Sequence, residues 1–230
     1  MVQADAALRA RRLAEVVSLA DEAITLVEDG ARAHALRGIA AAERGALEDG
    51  TTSLLRALSL DAQAVPVALA ERGTRLLLKT NHAAEARQLV EPVVRSASPG
   101  AQRDQLFTLY GDTLMSLGPD HIDAAVGAYR EALRATGLLP HARLGLALAL
   151  RRQGRPETEW KPAVEAAANQ AAQSVLLNTS LPATETESRA ALLMEHSGDS
   201  LGAQSAWDRA RSGPWSDFAQ AASRALGPPE

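Results

Sequence analysis

The feature that most limits what this chain can fold into is a helix-breaking residue that returns at nearly even intervals. Gly45, Asn81, Gly118, Gly154 and Gly198 lie 36, 37, 36 and 44 residues apart. Each interrupts a run rich in Ala, Leu, Arg and Glu, all good helix formers. The clearest unit, AHALRGIAAAERGALEDGTTSLLRALSLDA, reads as a helix over about 33–44, a turn at Gly45 and a second helix to about Leu58. The same grammar predicts a helix through Met115, a break at Gly118-Pro119 and a helix over 122–134. Further turns fall at Gly154-Arg155-Pro156 and Gly198-Asp199, with a stop at Gly213-Pro214. Glycine accepts the left-handed backbone that ends a helix, and proline cannot continue one. A single amphipathic hairpin leaves an apolar face that it cannot bury alone, so tandem units of this kind stack.

The second helix of each unit has its own pattern. A small residue stands near its start at Gly50, Ala86, Ala125 and Ala203, and a bulky one four positions on at Leu54, Val90, Tyr129 and Trp207. Three further comes Ala57, Ala132, Ala166 or Ala210, with Val93 in the remaining unit. In the N-terminal ADEAITLVEDG, Ala20, Ile24 and Val27 read as the same three places. This grammar resembles the tetratricopeptide repeat, a helix-turn-helix of about 34 residues with small residues where its helices cross.

The resemblance implies an all-α, right-handed superhelical solenoid, one domain over 1–230. It has about six hairpins, near 5–30, 31–63, 66–98, 102–137, 140–175 and 184–213, and a capping helix over 214–227. The cap is legible in GPWSDFAQAASRALG, where Trp215, Phe218, Ala222 and Leu226 recur along one side. The chain departs from the family in places. First-helix aromatics are mostly Leu or Ala, GPDHID carries two extra residues, and SVLLNTSLPATETES is long enough to read as a polar loop.

Composition excludes several classes. The net charge is −4 and aromatics make up only 3%, none before Phe107. No run alternates β-branched and aromatic residues as a strand would. A mildly acidic chain without a clustered basic surplus is not expected to bind nucleic acid. There are no cysteines, which removes disulfides and thiolate metal sites. No stretch reaches the roughly 18 apolar residues of a membrane span, and the N-terminus has no signal-peptide core. The expected location is cytoplasmic, or periplasmic if a leader has been removed.

Catalytic templates fail in turn. His34, His82, His121, His141 and His196 show no metal-ligand spacing, and no GxSxG, Walker-type or GxGxxG motif occurs. No metal or cofactor is expected. The family resemblance instead implies a concave groove lined by first helices. Carried over by position, the groove-facing residues are Arg72, Arg75 and Lys79, then Asp112 and Met115, then His141, Leu144, Leu148 and Arg151. Arg72, Arg75 and Lys79 form a single helical stripe. Arginines beside apolar residues suit an acidic or amphipathic peptide. The Lys and Asn with which chaperone-binding relatives clamp a terminal carboxylate are replaced by Ala35, Ile39, Glu71 and Arg75, which argues against a clamp. The expected function is a non-catalytic interaction scaffold. The alternative is an exported pilotin-type assembly factor, which the six-hairpin length also resembles.

Overall fold

The computed structural model describes residues 1–26, 30–61, 65–134, 139–171 and 180–226. Among these residues every regular element is helical. Helices α1 (Val2–Arg9) and α2 (Leu13–Thr25) form the first hairpin, α3 (Gly30–Glu43) and α4 (Leu47–Asp61) the second, and α5 (Val67–Lys79) and α6 (Ala83–Ser96) the third. Then come α7 (Ala101–Leu117) with α8 (Ile122–Leu133), α9 (Pro140–Arg152) with α10 (Glu157–Gln170), and α11 (Ala183–Ser197) with α12 (Ser200–Arg209). A final helix, α13 (Ser216–Ala225), follows. The chain forms two compact units, Met1–Ser96 and Ala97–Glu230, of three hairpins each.

Five of the hairpins turn in the same way. A residue with positive φ ends the first helix, and the next residue donates its N–H to a carbonyl five positions back. The donor and acceptor pairs are Arg12 to Ala7 (2.9 Å), Ala46 to Ala41 (3.0 Å), His82 to Leu77 (2.7 Å), Arg155 to Leu150 (3.0 Å) and Asp199 to Met194 (2.9 Å). This is the Schellman closure, which satisfies carbonyls that a helix end otherwise leaves free. Three of the left-handed residues are glycines, one is Asn81 and one is Arg11, with φ of 55°. The α7–α8 turn differs: Gly118 is followed by a short 3₁₀ turn, Pro119–His121, which takes up the two extra residues.

Second-helix packing follows the sequence pattern in most units. Leu54, Ala57, Val90, Tyr129, Ala132, Trp207 and Ala210 are all buried. In the second hairpin the crossing is closest: a Cβ on Gly38 would come within 2.7 Å of the Gly50 carbonyl oxygen, and one on Gly50 within 2.7 Å of that of Gly38. Only glycine at both positions allows this backbone contact.

Two register expectations are corrected. In α10 the buried residues are Trp160, Val164 and Ala167, while Ala166 is only half-buried. The cause is Pro156, which is extended (φ −62°, ψ 154°) and caps α10, so the helix starts one residue later after its turn than α4, α6 or α12. In the first hairpin, counting from the Arg11 turn puts Val16, Ala20 and Ala23 in the three docking places rather than Ala20, Ile24 and Val27. Val16 and Ala20 are fully buried, Ala23 and Ile24 are both half-buried, and Val27 lies outside the described residues. Arginine seldom adopts the left-handed conformation, so nothing marked this turn in the sequence.

The polar stretch before the last hairpin is also corrected in part. Residues 172–179 lie outside the description, but ATETES forms the first turns of α11, with Glu185 and Ser188 buried. Its polar atoms have partners inside the second unit, so polarity there does not signal a loop.

Candidate partner-binding site

Successive first helices lie side by side within each unit, α1 beside α3 beside α5, and α7 beside α9 beside α11. Charged pairs cross between them. In the first unit Arg32 of α3 pairs with Asp5 of α1, and Arg72 of α5 with Glu43 of α3 at 3.4 Å. Arg75 pairs along its own helix with Glu71 at 3.2 Å. These pairs remain in reach of water: the Arg72 side chain is 46% exposed and that of Arg75 is 35% exposed, and Lys79 is exposed. Exposed ion pairs of this kind contribute about 0–1 kcal/mol to stability.

The second unit uses the same helix faces differently. Asp112 of α7 receives a hydrogen bond from the Tyr129 hydroxyl at 2.8 Å and pairs with Arg189 of α11. Arg189 also donates to the Tyr129 oxygen at 3.2 Å and to the His141 carbonyl at 3.5 Å. Arg152 of α9 donates to both oxygens of Glu185, at 2.7 and 2.9 Å, and to Ser188 at 3.1 Å. All four charged side chains, Asp112, Arg152, Glu185 and Arg189, are under 5% exposed. Burial pushes the Tyr129 hydroxyl well above its ordinary range, and the neighbouring Asp112 adds to the shift. Burial lowers the Arg152 guanidinium against the pull of Glu185. At Arg189 burial acts downward, but Asp112, Tyr129 and Glu185 outweigh it and hold the charge firmly.

A second cluster centres on Arg151. It pairs with Glu195 at 2.9 Å and lies between the rings of Trp160 and Trp207, 5.0 and 5.2 Å from their centroids. The Trp207 indole donates to the same Glu195 at 2.5 Å. Beside this cluster is a cleft of about 300 Å³, bounded by Trp160, Lys161, Val164, Leu192, His196 and Leu226. Its size matches one large side chain.

The structure therefore separates the residues that sequence position grouped together. Arg72, Arg75 and Lys79 share one accessible face of α5. Asp112, Met115, Leu144 and Leu148 are buried, His141 and Arg151 half-buried, and the Asp112 and Arg151 side chains are paired inside the second unit. Arg152, Glu185 and Arg189 escaped the sequence reading, and Trp215 was read only as a residue of the capping helix. A signal for Glu185 was present: the offset from Gly154 that picks His141 picks Glu185 from Gly198. Among the described residues no group of three or more His, Asp or Glu side chains is placed to hold a metal ion. No described helix is long and apolar enough to cross a membrane.

No protein-family model matches the chain, and no curated protein matches it. Solved structures do. That of PilF from Pseudomonas aeruginosa is 14% identical, with a TM-score of 0.56 over 95% of this chain and 94% of that one. YrrB, described as a TPR protein with an unusual peptide-binding site, is 17% identical, with a TM-score of 0.49 over 83% of this chain and 90% of that one. The chain is a helical-repeat protein with a tetratricopeptide-like fold.

Proposed function

We propose that the chain is a non-catalytic interaction scaffold that holds a partner segment against the first-helix face of its first unit. The observation that carries this reading is the exposed stripe of Arg72, Arg75 and Lys79 on α5. Both arginines are paired along a water-accessible surface, so a carboxylate-bearing ligand competes for them at little cost. The partner class is an acidic or amphipathic peptide, recognised by guanidinium–carboxylate pairing. The buried charges of the second unit pair with one another rather than with the accessible surface.

The test is affinity for the partner recovered with the chain as bait, measured at two ionic strengths for the parent and for Arg72→Glu with Arg75→Glu. The reversal weakens capture, and by a larger factor at low salt, where charge pairing is least screened. A melting curve controls for folding. Unchanged affinity at both salts would rule out this face as the binding surface.

The second reading is the exported pilotin-type assembly factor, which rests on the six-hairpin length and on a leader upstream of the sequence. Cell fractionation decides it: a membrane-attached or periplasmic pool favours the assembly factor, and a wholly cytoplasmic pool removes it.

A further inference from the structure

The charged first-helix face of the second unit is covered, and what covers it is the chain itself. After α12 the backbone turns at Gly213, with φ of 81°, and Pro214 leads into Trp215. Trp215 is buried although it lies at the start of the last helix. Its indole Nε1 donates to the Met115 carbonyl at 2.7 Å, across 100 residues of sequence. Met115 is in the last turn of α7, and its carbonyl also accepts the Gly118 N–H at 3.3 Å. The Arg152 guanidinium lies 4.4 Å from the Trp215 ring centroid, a cation–π distance. Pro214 passes so close to Gly118 that a Cβ there would come within 3.0 Å of it. Phe218, three residues on, meets Trp207 edge to face at 5.6 Å and lies 5.9 Å from Arg152.

These groups make a seat that reads an indole: an acceptor for its N–H, a cation for its face and a glycine beside it for the preceding proline. The seat does not depend on Trp215 for its own shape. Arg152 is fixed by Glu185 and Ser188, and the Met115 carbonyl by α7. Lifting Trp215 uncovers the Arg152–Glu185 pair and the Met115 carbonyl, which water can solvate, together with the apolar surface on which Trp215, Ala219 and Ala222 are buried. α13 packs as a helix against α12, and Trp215 and Phe218 reach the Met115 carbonyl of α7 and the Arg152 guanidinium of α9.

We propose that this seat is a peptide-binding site for a Pro-Trp-x-x-Phe segment, and that residues 214–226 fill it in cis as a releasable occupant. A partner carrying that pattern replaces the chain's own segment and gains the same three contacts.

The probe is a labelled peptide of residues 212–226. It is added to the full chain and to the full chain carrying Trp215→Ala and Phe218→Ala. The variant binds the peptide, and the parent binds it at least about tenfold more weakly, because a tethered segment competes at an effective concentration on the order of millimolar. A peptide with Ala in place of its Trp binds neither. Absence of binding by a variant that still melts cooperatively overturns the proposal, as does equal binding by variant and parent. Should the variant not fold, hydrogen exchange on the parent decides. Amides of α13 that exchange ahead of those of α9 and α11 support a releasable segment. Exchange of all three in one global event overturns it.

Discussion

The Tyr129 hydroxyl donates to Asp112 across 2.8 Å, and its ring lies against two first helices at positions where only glycine leaves it room. A Cβ on Gly111 of α7 would come within 2.6 Å of that ring, and one on Gly145 of α9 within 2.5 Å. One residue of α8 thus sets the spacing of α7 and α9 by its ring and binds α11 by its oxygen, through Arg189.

Tyr129→Phe keeps the ring and removes the oxygen. Each buried hydrogen bond contributes about 0.5–1.5 kcal/mol, so urea denaturation gives a loss of that order. The pH response follows from the raised folded-state value. The unfolded tyrosine ionises near pH 10.0 and the folded one well above it, so this contribution is fully present below pH 10 and is lost as pH rises beyond. The parent therefore loses stability in that alkaline range more steeply than the Phe variant. Parallel profiles would mean that Tyr129 ionises freely in the fold.

Two glycine replacements have opposite signs. Gly127 is exposed on α8 with nothing near a new Cβ, so Gly127→Ala stabilises by about 0.5–1 kcal/mol through helix propensity alone. Gly145→Ala gains the same propensity but strikes the Tyr129 ring, which is pinned by two polar partners, and overpacking costs about 1–3 kcal/mol. Ala132→Phe, at a fully buried docking position, falls in the same range. Thermal melts of the three variants check the ordering.

Arg189→Ala leaves Asp112 buried and uncompensated, at a cost of about 3–5 kcal/mol. Adding Asp112→Asn to Arg189→Met removes both charges together and recovers a large part of that loss. In a double-mutant cycle the two sites couple by at least about 1 kcal/mol. Additive effects would show that the pair is not mutually dependent.

Arg11 supplies a test of backbone strain. A non-glycine residue in the left-handed region costs about 1–2 kcal/mol, so Arg11→Gly stabilises the chain, less the added freedom of glycine when unfolded. Asn81→Gly gains less, since asparagine tolerates that region. Chemical denaturation of both variants checks the order, and an equal gain would remove the strain argument.

What could be read from sequence was whatever a single residue type enforces locally. Gly45, Gly154 and Gly198 marked their turns because only glycine enters the left-handed region freely. Tyr129 and Trp207 were legible as docking residues because each stands four residues after a small one, Ala125 and Ala203. Arg11 hid a turn of the same geometry, and Pro156 shifted a register by one, because each changes backbone conformation without changing hydrophobic pattern. On the binding side, the stripe of Arg72, Arg75 and Lys79 followed from helical spacing. The burial of Asp112 and Met115 did not, since it depends on Arg189 and Trp215, 77 and 100 residues away. A partner that far along the chain leaves no trace in local periodicity.

The bond from Trp215 to Met115 also fixes an order of events during synthesis. The hairpins of the first unit close on residues translated shortly before. The end of α7 must wait for another 100 residues, roughly 5–20 s at a translation rate of about 5–20 residues per second. For that interval the Met115 carbonyl of the nascent second unit is without its indole donor, and over the last 63 residues of it Arg152 is without its aromatic cover. The emergence of one tryptophan ends that exposure.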